Sequence, residues 1–189
     1  MNIDEVHQQL AAEYLTAMKN RELPQAAACI IFSGVPGSGK TTLARQLARD
    51  LKAQYIRHDD IRELARRHDY DLQKLTVSSI SRIVMDAIMS HDANKLVVID
   101  ASLDRSWPLF FDHTREHEAR PVIIRLNILR DVIEERIAMR PEGDFGRVAN
   151  LDIFFEQFEN SKQKVKADIE LDQTYDYADV LARVRALLS

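Results

Sequence analysis

Cysteine is almost missing from this chain: Cys29 is the only one in 189 residues. That excludes an internal disulfide and a cysteine cluster for zinc, and a lone thiol in the apolar run 26–32 reads as a buried strand side chain. Long hydrophobic runs are missing too, since none approaches the roughly 20 residues of a membrane span. Asp4 and Glu5 stand where a secretory leader would be basic, so a cytoplasmic protein with no membrane partner is expected. Net charge is only −4, which calls for neither nucleic acid nor an acidic membrane, although a local basic cleft is compatible with it. Repeats and low-complexity tracts are absent. At 46% hydrophobic and 30% charged, the composition is that of a soluble globular protein of about one domain.

What is present is alternation. Apolar runs at 27–32, 54–56, 95–100 and 121–126, with a weaker one at 167–171, read as strands. Helical patterns fall between them, at 40–51, 72–89 and 130–139. Continuous apolar strands separated by helices predict an α/β fold, a five-stranded, mostly parallel sheet with helices on both faces. Before the first strand, Ile3, Val6, Leu10, Tyr14 and Met18 recur at helical spacing and Pro24 closes the segment. Residues 1–23 are therefore expected to form an amphipathic helix, and 24–189 a single domain. The helix is expected to pack on the domain edge; a homodimer contact or a partner protein is the alternative.

Directly after the first strand stands "GVPGSGKT", Gly34 to Thr41, which matches the phosphate-loop pattern G-x-x-x-x-G-K-[ST]. Gly34, Gly37 and Gly39 allow close backbone approach, so that amides point at phosphate oxygens where a helix begins. Pro36, Ser38 and Thr42 complete the expected nucleotide contacts. Lys40 is expected to reach the β- and γ-phosphates, and Thr41 to hold Mg²⁺. The third strand, "LVVID", ends in Asp100, an acid placed to join Thr41 at the metal or else to cap a turn. Ser102 and Asp104 follow with less claim. The fold expected is that of the P-loop NTPases, and ATP and Mg²⁺ are the expected cofactors.

The second strand runs into "HDDIR". Strand carboxyl ends border the ligand crevice in such sheets, which puts Asp59 and Asp60 near the γ-phosphate. Asp60, directly before "IRELARRH", is expected to cap that helix. Asp59 is then left to take a proton from an attacking hydroxyl, with capping or an ion pair as its alternative. His58 reads as a loop histidine. Arg62 and Arg66, four apart, face either an anionic acceptor or solvent beside Glu63. After the fourth strand, Arg136 and Arg140 end a helix that Pro141 stops. On the residues alone they read as partners of Glu134 or Glu135, and Gly143, Gly146 and Arg147 follow beyond Pro141. Leu151, Phe154, Phe155 and Phe158 read as a core stripe.

"GVPGSGKTTLARQL", "YIRHDDIREL", "VVIDASLDRS" and "ERIAMR" resemble the polynucleotide 5′-hydroxyl kinases and their small P-loop relatives. Those relatives include zeta-type toxins, chloramphenicol phosphotransferase and gluconate kinase-like enzymes, and the resemblance covers about residues 26 to 165. It implies Asp59 as general base, Arg62 as an acceptor contact, and a small helical lid over about 136–150 whose Arg136 and Arg140 fold over the phosphates, joined by Arg147, with Gly143 and Gly146 as hinges. By the same analogy the loop 172–175 borders the adenine. The activity implied is ATP-dependent phosphorylation of a hydroxyl, on a small molecule or a polynucleotide 5′ end. A nucleotide-binding NTPase or regulator without an acceptor is the alternative. GTPases are disfavoured because "NKLV" at 94–97 lacks the acid of N-K-x-D, and transporter ATPases because no L-S-G-G-Q stretch occurs.

Overall fold

The computed structural model describes residues 2–17, 23–70, 77–89, 94–141 and 150–189. Five strands, β1 (Leu23–Ser33), β2 (Gln54–Arg57), β3 (Asn94–Ser102), β4 (Arg120–Leu126) and β5 (Ile169–Leu171), form one sheet. Their order is β2-β3-β1-β4-β5. Every pairing is parallel, so the sheet is wholly parallel rather than mostly so. The described helices are α1 (Ile3–Ala17), α2 (Lys40–Asp50), α3 (His58–Arg67), α4 (Val77–Met89), α5 (Trp107–Glu116), α6 (Arg130–Ala138), α7 (Asp152–Lys164) and α8 (Tyr177–Leu188). A single 3₁₀ turn, Leu103–Arg105, leads into α5.

β1 shows why the strands read as unbroken apolar runs. Its side chains alternate between two cores, Cys29 and Ile31 on one face of the sheet, Ala28, Ile30 and Phe32 on the other. Cys29 is fully buried, as expected, and burial pushes its thiol well above the ordinary range. α2 buries Leu43, Ala44, Leu47 and Ala48, one stripe at helical spacing. Each fully buried leucine there stabilises the fold by ~1.5–3 kcal/mol.

The amphipathic α1 lies against α3 and α4. Val6, Leu10, Ala11 and Tyr14 enter the same core as Cys29, while Ile3 stays exposed. The Tyr14 hydroxyl also accepts the Arg57 backbone N–H at 2.9 Å, so α1 touches the chain where β2 passes into α3. Arg125 departs from the apolar pattern of β4. It is 2% exposed, and its guanidinium donates to Glu170 Oε1 at 2.9 Å and to the Val165 carbonyl at 2.5 Å, which satisfies a buried charge.

α5 follows directly on the 3₁₀ turn. Pro108 sits in its first turn, where a missing N–H costs nothing. Phe110, His113 and Thr114 form its buried face. Among the described residues no helix is long and apolar enough to cross a membrane.

Candidate active site

All five strands end on one cleft of about 970 Å³. Gly34 follows β1, His58 follows β2, Asp100 and Ser102 close β3, Ile128 follows β4, and Gln173 and Tyr175 follow β5; all of them line it. This is the carboxyl edge where open parallel sheets take ligands.

The loop from Gly34 to Gly39 forms the floor. Gly37 has φ +88, and a β-carbon there would come within 3.1 Å of Ile137 and 3.3 Å of Ile133, both on α6. Gly34 is the second constrained point, where a β-carbon would meet Ser38 Oγ at 2.8 Å and the Leu126 carbonyl at 3.3 Å. Gly39 caps α2 without any side-chain hydrogen bond, so the first amides of α2 face the cleft with their partial positive charge. Lys40 Nζ donates to the Gly34 and Val35 carbonyls at 2.7 and 2.8 Å. Burial lowers its ammonium to about 8, against the pull of Asp104 and Asp100.

Asp100 stands beside the first turn of α2. The Thr41 hydroxyl donates to its Oδ1 at 3.1 Å and the Tyr55 hydroxyl to its Oδ2 at 2.6 Å. Burial raises the Asp100 carboxyl above its ordinary value despite these two donors. Asp104 anchors the loop itself. It accepts from Ser33 Oγ at 2.7 Å, Ser102 Oγ at 2.6 Å and the Gly34 N–H at 2.9 Å. Asp104 had little claim from sequence, because these bonds join β1 to the turn after β3 and no local pattern records them.

The acidic pair differs from expectation. α3 starts at His58 and its cap residue is Arg57, with no side-chain cap bond. Asp60 therefore does not cap; it lies in the first turn and takes Arg57 Nη1 at 2.9 Å. His58 opens the helix rather than sitting in a loop. Asp59 is not isolated either: Arg62 Nη1 reaches its Oδ1 at 2.5 Å and Arg57 Nη2 its Oδ2 at 3.4 Å. Asp59, Arg62 and His58 all line the cleft, while Arg66 turns outward to Glu63 at 3.2 Å. Burial, helped by Arg62 and Arg105, lowers the His58 imidazole to about 3 and keeps it neutral. Arg105 also lines the cleft, 5.5 Å above the Phe154 ring; neither residue was assigned to the site from sequence. Phe154 thus serves both the core stripe and the cleft wall.

From the opposite side α6 brings Arg136, whose Nη1 donates to the Gly37 carbonyl at 3.3 Å. Arg140 lines the cleft beside it. Glu134 pairs with Arg130 instead, at 2.7 Å. Gly143, Gly146 and Arg147 lie outside the described residues. Gln173 and Tyr175 border the cleft from the loop 172–175.

Residues 29–167 match the model of the AAA domain family, about three quarters of the chain. The chain belongs to that family. No curated protein matches this AAA domain chain in sequence. In fold it is similar to an inferred kinase from Chloroflexus aurantiacus, at TM-score 0.64 and 18% identity over 87% of this chain and 100% of that one. The APS kinase of Mycobacterium tuberculosis, solved with AMPPNP and APS, matches at TM-score 0.58 and 16% identity, covering 87% of this chain and 99% of its own. A gluconokinase from Sinorhizobium meliloti matches at TM-score 0.54 and 21% identity, covering 87% and 95%. All three are kinases by name, and two of the names specify a small molecule, APS and gluconate.

Proposed function

We propose that this AAA domain chain is an ATP- and Mg²⁺-dependent kinase that phosphorylates a hydroxyl on a small anionic acceptor. One observation carries the reading: a single cleft joins a phosphate-and-metal floor to a carboxylate–arginine wall. Lys40, the loop amides and the bare N-terminus of α2 suit the phosphates of a nucleotide. Thr41 and Asp100 offer hard oxygen ligands 3.1 Å apart, a donor set that fits Mg²⁺. Held by Thr41 and Asp100, Mg²⁺ would supply positive charge against the phosphates of the nucleotide.

Asp59 acts at the other end. As the acceptor oxygen bonds to the γ-phosphorus and ADP leaves, Asp59 takes the hydroxyl proton, a role typically worth ~10²–10⁴ in rate. Arg62 occupies Asp59 in this structure, and an anionic acceptor competes for that guanidinium, which frees the carboxylate to accept a proton. Arg105 and the neutral His58 stand on the same wall. Arg136 and Arg140 approach from α6, where they stabilise charge on the transferred group.

Support for a small acceptor comes from the neighbours, whose names specify APS and gluconate rather than a nucleic-acid end. The test is ADP release from ATP in the presence of hydroxy acids, sulfated or phosphorylated alcohols, and a 5′-hydroxyl oligonucleotide. ADP release that needs an acceptor, and fails with its O-methyl analogue, supports the reading. ADP release at the same rate without any acceptor would make the chain an NTPase.

A further inference from the structure

Away from the cleft, α4 and α5 meet at Asp86, His113 and His117. The two histidines are four apart on α5 and so share a face; their ring centroids are 4.7 Å apart. Asp86 Oδ1 lies 2.6 Å from His117 Nε2 and 3.7 Å from His113 Nε2. Ligand-capable atoms of all three fall within 4.8 Å of one another, in the only such cluster among the described residues.

His113 supplies the independent sign. It is 3% exposed, and among the described residues neither ring nitrogen has a hydrogen-bond partner within 3.5 Å. Buried polar atoms in that state are rare and costly, and a missing ion is one of their ordinary explanations. Its Nδ1 faces Glu116 Oε2 at 3.6 Å, and Arg82 holds that carboxylate oxygen at 2.6 Å. Metal-bound imidazoles are commonly oriented in this way by a carboxylate behind the ring.

We propose that Asp86 Oδ1, His113 Nε2 and His117 Nε2 form a site for one zinc-class divalent ion that ties α4 to α5, with Glu116 orienting His113. Tetrahedral zinc with ligands at ~2.0–2.2 Å holds them roughly 3.4 Å apart. The spacing of Asp86 from His113 is near that already, and Asp86 and His117 need only part slightly. Two imidazole nitrogens favour such borderline ions and not Mg²⁺, so the site is chemically separate from Thr41 and Asp100. His113 also lines a small cavity that reaches His58, so a bound ion braces the packing behind the first turn of α3.

The test uses tag-free, chelator-stripped protein titrated with Zn²⁺ while Mg²⁺ is present at millimolar level. One saturable equivalent, a rise in Tm, and a visible d–d band with Co²⁺ are expected. Asp86→Asn and His117→Gln, both at half-buried positions, should lose that equivalent with an unchanged circular dichroism spectrum. Glu116→Gln should weaken binding ~10–100-fold, and His68→Gln, at the far end of α3, should leave it intact. No saturable Zn²⁺ binding or no Co²⁺ band in the wild type would overturn the proposal, whether or not the variants fold. So would a full equivalent retained by both Asp86→Asn and His117→Gln.

Discussion

Thr41 Oγ1 donates to Asp100 Oδ1 at 3.1 Å, which joins the first turn of α2 to the end of β3. Neither residue is near the other in sequence, and the pair supplies two oxygens of opposite character, a hydroxyl and a carboxylate, at one point of the cleft. Asp100→Asn keeps the shape and removes the charge. Losing a charge-assisted contact costs ~1.5–3 kcal/mol, about one to two powers of ten. The Mg²⁺ concentration for half-maximal turnover should rise by that factor in a Mg²⁺ titration, with the fold intact.

Lys40 gives a pH dependence with a definite sign. Its ammonium is lowered to about 8 by burial in the nucleotide-free protein, while bound phosphates favour the charged form. Nucleotide binding therefore takes up a proton above about pH 8, and affinity falls as pH rises, at most tenfold per unit. Titration calorimetry in two buffers of different ionisation enthalpy between pH 7 and 9.5 should show this uptake. Lys40→Met should bind more weakly and lose the pH dependence over that window. For stability the sign reverses: the unfolded chain binds more protons at Lys40 between about 8 and 10.5, so this residue's contribution to nucleotide-free stability grows as pH rises through that window.

Gly37→Ala tests the floor of the cleft through stability and nucleotide binding together. The backbone sits at φ +88, and the new methyl would press on Ile133 and Ile137 of α6 at 3.3 and 3.1 Å. A destabilisation of ~1–3 kcal/mol is expected in denaturant melts, together with loss of ATP binding.

Arg140→Ala should spare ATP binding and lower kcat, by up to the ~10³–10⁵ that a charge-stabilising arginine contributes in phosphoryl transfer. Single-turnover rates with saturating ATP measure this directly. An unchanged kcat would remove Arg140 from the reaction.

The parts of the fold legible in sequence are those written in local pattern. β1, β3 and β4 show as apolar runs because both faces of the sheet are covered, and the phosphate loop shows because its backbone admits few residue types. Arg125 nearly hides β4 from that reading, since its charge is satisfied by Glu170 and Val165, 45 and 40 residues away. The site was legible only in part for the same reason. Asp60 reads as a cap when α3 is imagined to begin after it, yet the helix begins at His58 and Arg57 claims both acids. Asp104 and Tyr55 owe their places to contacts between distant strand ends, and Arg105 to the Phe154 ring on α7, which no spacing in the chain encodes.

The most direct test of the central claim follows the γ-phosphate with labelled ATP, Mg²⁺ and pooled hydroxyl acceptors, comparing the wild type with Asp59→Asn. Label on an organic acceptor in the wild type, reduced by ~10²–10⁴ in the variant with ATP affinity kept, is the expected result. Label in inorganic phosphate alone, equal in both proteins, would contradict it and leave Asp59 as an ion-pair partner of Arg57 and Arg62.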